Sequence, residues 1–431
     1  MTLGLHEQCI NRLKERLADA LAQASVRNMM ILNRDALSGV LDLESILPTT
    51  GTTKYELEKY IGESPLFDFI YGQLSKELYE LQEYNSDVPN ETLSNIPDYS
   101  NLGDVSESLI NRFESLPWNY KFTFSIGNQV TKYIKSERID ISEDIAILKG
   151  GDILKGSFPL QSGIPGRDQD LHGGGLLSLA FGGMPKEWDE DCLYVQINGE
   201  GYIGKWITTT PQHNAIDTLK SLLGLLIAMR TIRVENSYST SKSISRCYIH
   251  RDLEGNWEVD DSFELDSDVG KTIFDLRVDD LNGALDSEDK IAGFIGHSLN
   301  LVAKALAKNN DAEKIRLSGR WLFDSYCGKN ELLSFIQTTV ALEILLGEKA
   351  ISDLMGLGEL LRNRCAYLIG KNHQQREEVL QDFKKIYDIR SKIVHRGKSR
   401  LSRNDRELFY KLQWMVNRVI QEEIELVGKN A

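Results

Sequence analysis

Apolar residues at Leu5, Ile10, Leu13, Leu17 and Leu21 recur at helical spacing, which predicts a helix over 3–33. A second helical stretch covers 55–83. Residues 84–106, rich in Asn, Ser, Asp and Pro, read as a loop or mobile linker. The period then changes. Trp118, Tyr120, Phe122, Phe124 and Ile126 alternate with polar residues, as in a half-buried strand. Further strands are predicted at 143–148, 192–198, 201–208, 244–250 and 256–260, and a helix at 214–233. The glycine-rich stretch 151–184 reads as an irregular connection, because it holds no phosphate-loop or dinucleotide fingerprint.

From residue 291 onward every period is helical. One stripe is Ile295, Leu299, Val302, Leu306; a second holds Ile315, Leu322 and Tyr326, with Trp321 beside them. Asn330 suits the N-cap of a third helix carrying Leu332, Ile336, Val340 and Leu345, with Gly347 at its left-handed C-terminal position. A fourth runs from 353 to Ile369. A fifth runs from 374 to 395 and stops before Gly397, and a sixth carries Leu408, Leu412, Met415, Val419 and Leu426. The predicted architecture is an α+β N-terminal region, residues 1–290, with a candidate subdivision near 84–106, followed by an all-α helical bundle over 291–431.

Composition narrows the class. A chain of 431 residues is long for one core and points to two or three domains. Charges throughout residues 1–20 exclude a secretory leader there, and the most apolar run, Ser221–Met229, falls short of the about 20 residues a membrane span needs. A cytoplasmic protein with no membrane partner is expected. The five cysteines are scattered and form no Cys-x-x-Cys pair, so reduced thiols are expected rather than zinc or disulfides. Net charge is −14, which in the mean field repels nucleic acid. Between Arg390 and Arg406, however, seven Lys/Arg stand against the single acid Asp405. A local basic patch is the usual footprint of phosphate contact.

The fifth helix carries the candidate chemistry. Its apolar stripe is Val379, Phe383, Ile386 and Ile393, and Arg390 falls on it. A buried guanidinium needs a carboxylate, a partner chain or a ligand phosphate. His395 follows five residues later, about 140° around an ideal helix. The two side chains converge only if the helix ends there or a second protomer supplies one of them. Histidine changes charge near neutral pH and can serve as both base and acid. Other constellations are poor. Asp168, Asp170 and His172 are metal-ligand types without partner spacing, and His250 at a strand end reads as structural.

With Arg320-Trp321, Tyr326, Ala341-Leu342-Glu343, Leu361–Leu368 and Tyr387–His395 in view, residues 315–426 resemble an Apea-like HEPN domain. HEPN ribonucleases carry Arg-x-x-x-x-His, which Arg390 and His395 match; many active members follow the arginine with Asn, Asp or His, where this chain has Ser391. The resemblance implies cleavage of RNA without metal or cofactor, in a homodimer formed through the C-terminal bundle. His395 would handle the protons and Arg390 would stabilise the charge developing on phosphorus. Ser391, Glu343 and Arg364 would support the site. Glu343 and Arg364 are expected to pair within the bundle, with Glu343 orienting His395 or Arg390 as the alternative. Lys392, Arg396, Lys398, Arg400 and Arg403 would hold the RNA, with transfer RNA among the candidates.

Three functions follow in order of weight. The first is an endoribonuclease acting in host defence against phage, with an unknown trigger sensed by the N-terminal region. The second is a non-catalytic HEPN protein serving dimerisation or RNA binding. The third is a small-molecule-binding regulator using the 151–184 region as its pocket.

Overall fold

The computed structural model describes residues 3–81, 90–160, 187–204, 208–235, 245–307, 310–347 and 357–430. Helix α1 (Glu7–Leu21) buries Ile10, Leu13, Leu17 and Leu21, as its stripe predicts. The helix expected over 3–33 nevertheless stops there. Residues beyond form a small hairpin, β1 (Ser25–Arg27) and β2 (Ile31–Leu32), turned by Asn28 and Met29 at positive φ. A helix cannot pass through two left-handed residues.

Short helices α2 (Ser38–Leu43) and α3 (Thr52–Tyr60) follow, then α4 (Pro65–Glu80). The expected 55–83 helix is therefore two. Pro65 occupies the first position of α4, where its missing N–H costs nothing but where a continuous helix could not accept it. The expected linker over 84–106 also needs correction from residue 91 onward. Strand β3 (Glu91–Thr92) pairs with β1, and Leu93, Ile96 and Tyr99 are buried in two successive 3-10 turns. Residues 84–89 lie outside the described ones. Helix α5 (Leu102–Glu114), capped by the Asn101 side chain, packs on α1. This N-terminal unit has its own core, around Leu13, Leu17, Phe69, Phe113 and Tyr202.

A six-stranded antiparallel sheet follows. Its strands are β4 (Trp118–Gly127), β5 (Arg138–Asp140), β6 (Ile145–Lys149), β7 (Leu193–Gly201), β9 (Arg246–Leu253) and β10 (Asn256–Glu264), in spatial order β10-β9-β4-β7-β6-β5. The strand expected at 192–198 runs from Leu193 to Gly201, whose φ of 137 turns the chain; of the strand expected at 201–208, residues 202–204 and 208 are not in a strand and 205–207 lie outside the described residues. Within 151–184, the first part is helix α6 (Asp152–Ser157); residues 161–184, with Asp168, Asp170 and His172, lie outside the described ones. A separate two-stranded sheet joins β8 (Ile232–Val234) and β11 (Leu276–Val278).

Helix α7 (Thr210–Ala228) lies on the sheet, and α8 (Ser267–Phe274) precedes β11. The C-terminal helices are α9 (Glu288–Ala305), α10 (Asn310–Asp324), α11 (Glu331–Leu346), α12 (Leu357–Ile369), α13 (His373–Arg396) and α14 (Arg403–Asn430). The chain is thus α+β, with an antiparallel sheet followed by a helical region. The buried cluster runs without interruption from Phe122 and Ile249 through Leu219 and Leu222 of α7 to Leu322, Phe335, Phe383 and Val419. Residue 290, the expected boundary, falls inside this cluster's span.

Helices α7 and α10 cross at two glycines. A Cβ on Gly224 would lie 1.8 Å from the Gly319 carbonyl oxygen. Asp217–Arg320 at 2.6 Å and Lys220–Asp324 at 2.8 Å flank the crossing. Among the described residues, no helix is long and apolar enough to cross a membrane. All five cysteines are unpaired.

Candidate functional site

Helix α13 positions Arg390 and His395. Asn372 caps it by accepting from the Gln375 N–H, and Val379, Phe383, Ile386 and Ile389 face the core. In the last turn the buried position is Ile389, not Ile393, so Arg390 flanks the core rather than entering it. At the C-terminus Gly397 adopts φ 64 and ψ 34, the left-handed cap that its position predicts, and the N–H of Lys398 donates to the Lys392 carbonyl.

Glu343 on α11 meets Arg390. Arg390 Nε lies 3.1 Å from Glu343 Oε1, and Nη2 donates to Oε2 at 3.5 Å. Tyr387, one turn earlier on α13, donates its hydroxyl to Glu343 Oε1 at 2.8 Å and stacks on Phe383. Burial, reinforced by the Glu343 charge, drives the Tyr387 phenol well above its ordinary pKa, so it stays a neutral donor. The Nε–H is poorly aligned with the carboxylate and forms no hydrogen bond, so the contact is chiefly Coulombic. With the Arg390 side chain 30% exposed and that of Glu343 18%, one edge of the guanidinium is engaged and the rest reaches solvent.

Of the two expectations for Glu343, its contact with Arg390 is present. Arg364 acts electrostatically on Glu423, whose carboxyl burial raises while Arg364 and Lys314 draw it back down. Ser391 is half-buried. His395 is exposed, in the penultimate position of the helix. Because α13 stays helical through both residues, one chain does not bring Arg390 and His395 together. Tyr387 is the residue whose role the sequence hid. It is three positions before Arg390, and that spacing is the only trace of the shared Glu343 contact.

The basic segment divides in two. Lys398 pairs with Asp405 at 2.9 Å, Arg403 with Glu407 at 3.7 Å, and Arg406 forks onto Glu331 at 2.8 and 2.9 Å. Lys392, Arg396 and Arg400 are exposed and, among the described residues, have no carboxylate within ion-pair reach. Glu407 and, from α11, Glu331 lie outside the segment and reduce the local positive charge that the sequence suggests, while Asp405 is the acid already counted in it. The three exposed cations stand within five residues of His395 along the chain.

Among the described residues, no group of three or more His, Cys, Asp or Glu side chains is placed to hold a metal ion. His250, read as structural from the sequence, is fully buried in β9, with Nε2 2.9 Å from the Pro159 carbonyl. Burial lowers its pKa to about 4, so it is neutral and donates from Nε2. Compared with known protein families, curated proteins and solved structures, the chain matches none of them.

Proposed function

We propose that this chain is a HEPN-type, metal-independent endoribonuclease of the cytoplasm that acts in host defence against phage and holds its substrate RNA at the end of α13. What supports this reading is an arginine anchored on Glu343 and an exposed histidine five residues apart at one helix end, with the exposed cations Lys392, Arg396 and Arg400 close by in sequence. In the reaction, His395 takes the proton from a ribose 2′-OH as that oxygen attacks phosphorus. The P–O5′ bond breaks, the 5′-oxygen receives a proton from the second histidine, and a 2′,3′-cyclic phosphate remains. The free edge of Arg390 stabilises the oxygens that gain charge. Two helix ends meeting across a two-fold axis would supply both histidines to one phosphate. DNA, lacking the 2′-OH, is not a substrate. The N-terminal region would receive the trigger.

The test is cleavage of RNA by the purified full chain in excess EDTA, with cyclic-phosphate ends on the products, and its loss in Arg390→Ala and His395→Ala. Loss in EDTA that magnesium restores, or full activity in either variant, overturns the reading. A second reading rests on the separation of Arg390 and His395 within one chain: a non-catalytic HEPN protein that dimerises or binds RNA. Salt-dependent RNA binding without cleavage supports that alternative.

A further inference from the structure

The six-stranded sheet gives one face to α7 and the bundle. On the opposite face, Tyr194 and Tyr248 lie under Trp188. Beyond that cover the face is polar. Glu200 sits opposite Asn119, Asp252 opposite Trp257, and Asn198 opposite Lys121. These residues line a solvent-open cleft of about 630 Å³ at the strand ends, walled also by Lys59 of α3 and Asn214 of α7. That volume lies in the range of small-molecule sites.

The polar groups are held in place. Lys121 Nζ donates to Asn198 Oδ1 at 2.5 Å and lies 5.2 Å from the Trp257 ring. Asn198 Nδ2 donates to the Glu143 carbonyl at 3.0 Å, and Asp252 Oδ1 accepts from the Gly255 N–H at 2.8 Å. Gly199, between Asn198 and Glu200, admits the Phe122 ring from the core side, which a Cβ there would approach to 2.6 Å.

Charge selects the ligand. Asp144, Glu200 and Asp252 face Lys59 and Lys121, three carboxylates against two ammoniums. A phosphate would be repelled by the excess of acid, while carboxylates and ammoniums set side by side offer a neutral ligand acceptors and donors together. Side-chain amides and carboxylates together suit hydroxyls, which donate and accept at once. Trp257 adds one apolar surface for the C–H face of a ring. We propose that this cleft binds a neutral, hydroxyl-rich ring compound, either a free sugar or the ribose of an uncharged nucleoside. The site is independent of the RNA-cleaving reading.

The experiment is ligand-detected saturation-transfer NMR on the full chain with glucose, galactose, ribose, adenosine and uridine at millimolar concentration, with ribose 5-phosphate as the charged counterpart. The expected result is transfer from at least one neutral compound, weakened tenfold or more in Trp257→Ala and in Asn119→Ala. Asn119 is exposed, so that variant folds even if Trp257→Ala does not. Transfer from the nucleosides alone identifies the nucleoside, and transfer from the monosaccharides identifies the sugar. Silence from every neutral compound, tighter binding of the phosphate, or full signal in Asn119→Ala overturns the proposal.

Discussion

Arg390 and His395 stand in different physical settings, and that difference separates structural from chemical roles. Arg390→Ala strips a charge partner from Glu343 and leaves Tyr387 as its remaining donor. It should cost about 1–2 kcal/mol in stability, and under the nuclease reading lower cleavage by on the order of 10³. His395 is exposed, so His395→Ala should change stability by less than about 0.5 kcal/mol while removing cleavage. Denaturant titration beside a cleavage assay checks both. His250 gives a second prediction. Its folded pKa of about 4 lies below its ordinary 6.5, so the unfolded chain binds the extra proton between these values. Stability from this group is full above pH 6.5 and falls as pH drops toward 4. His250→Gln, which can still donate to Pro159, should remove that slope. The stability difference between wild type and variant should then change by about 2 kcal/mol between pH 7 and pH 5; a constant difference would show that His250 does not titrate this way. In the sequence, Arg390 was visible as a charge on an apolar stripe. Glu343, 47 residues away on another helix, stood there only as the alternative partner, because sequence separation does not show which helices meet.

At the scale of elements, local signals carried most of what was legible. Asn330 caps α11 with its side-chain acceptor, and Gly397 ends α13 in the left-handed conformation. Where packing rather than local preference decides, the pattern misled. On α11 the buried face is Phe335, Thr338, Thr339 and Leu342, while the expected Leu332, Ile336 and Val340 are only half-buried. Thr338 and Thr339 can be buried because each hydroxyl donates to the carbonyl one turn back, a pairing invisible in a hydrophobicity pattern. Gly347 is extended, at φ −75 and ψ 137, rather than left-handed. The basic segment gives a prediction at this scale. Changing Lys392, Arg396 and Arg400 together to Glu should weaken RNA binding and reduce its log–log salt slope by about 2, since each lost phosphate contact removes about 0.7 for single strands. Reversing Lys398 instead should act mainly on stability, because it faces the half-buried Asp405. An unchanged slope in the first variant would place RNA elsewhere.

For the whole molecule, the antiparallel sheet and the helical C-terminal region were legible from the change of period near residue 290, but the way they share a core was not. Periodicity marks each element's buried face and says nothing of which element covers it. Assembly is the open arm of the nuclease reading. Sedimentation should show a dimer at micromolar concentration, and adding His395→Ala chains to wild type should lower cleavage below simple dilution, because a mixed dimer keeps one histidine; a monomer that cleaves fully would exclude the composite site. The close crossing of Gly224 and Gly319 bears on how the chain can be dissected. With backbone against backbone there, even Gly224→Ala should cost about 3 kcal/mol, and sheet and helices should melt in one transition. A cut at residue 290 would not release a free-standing helical unit. It would uncover Leu322, Phe323 and their neighbours, and the excised piece would precipitate. Silence from such a truncation would report bare apolar surface, not missing chemistry.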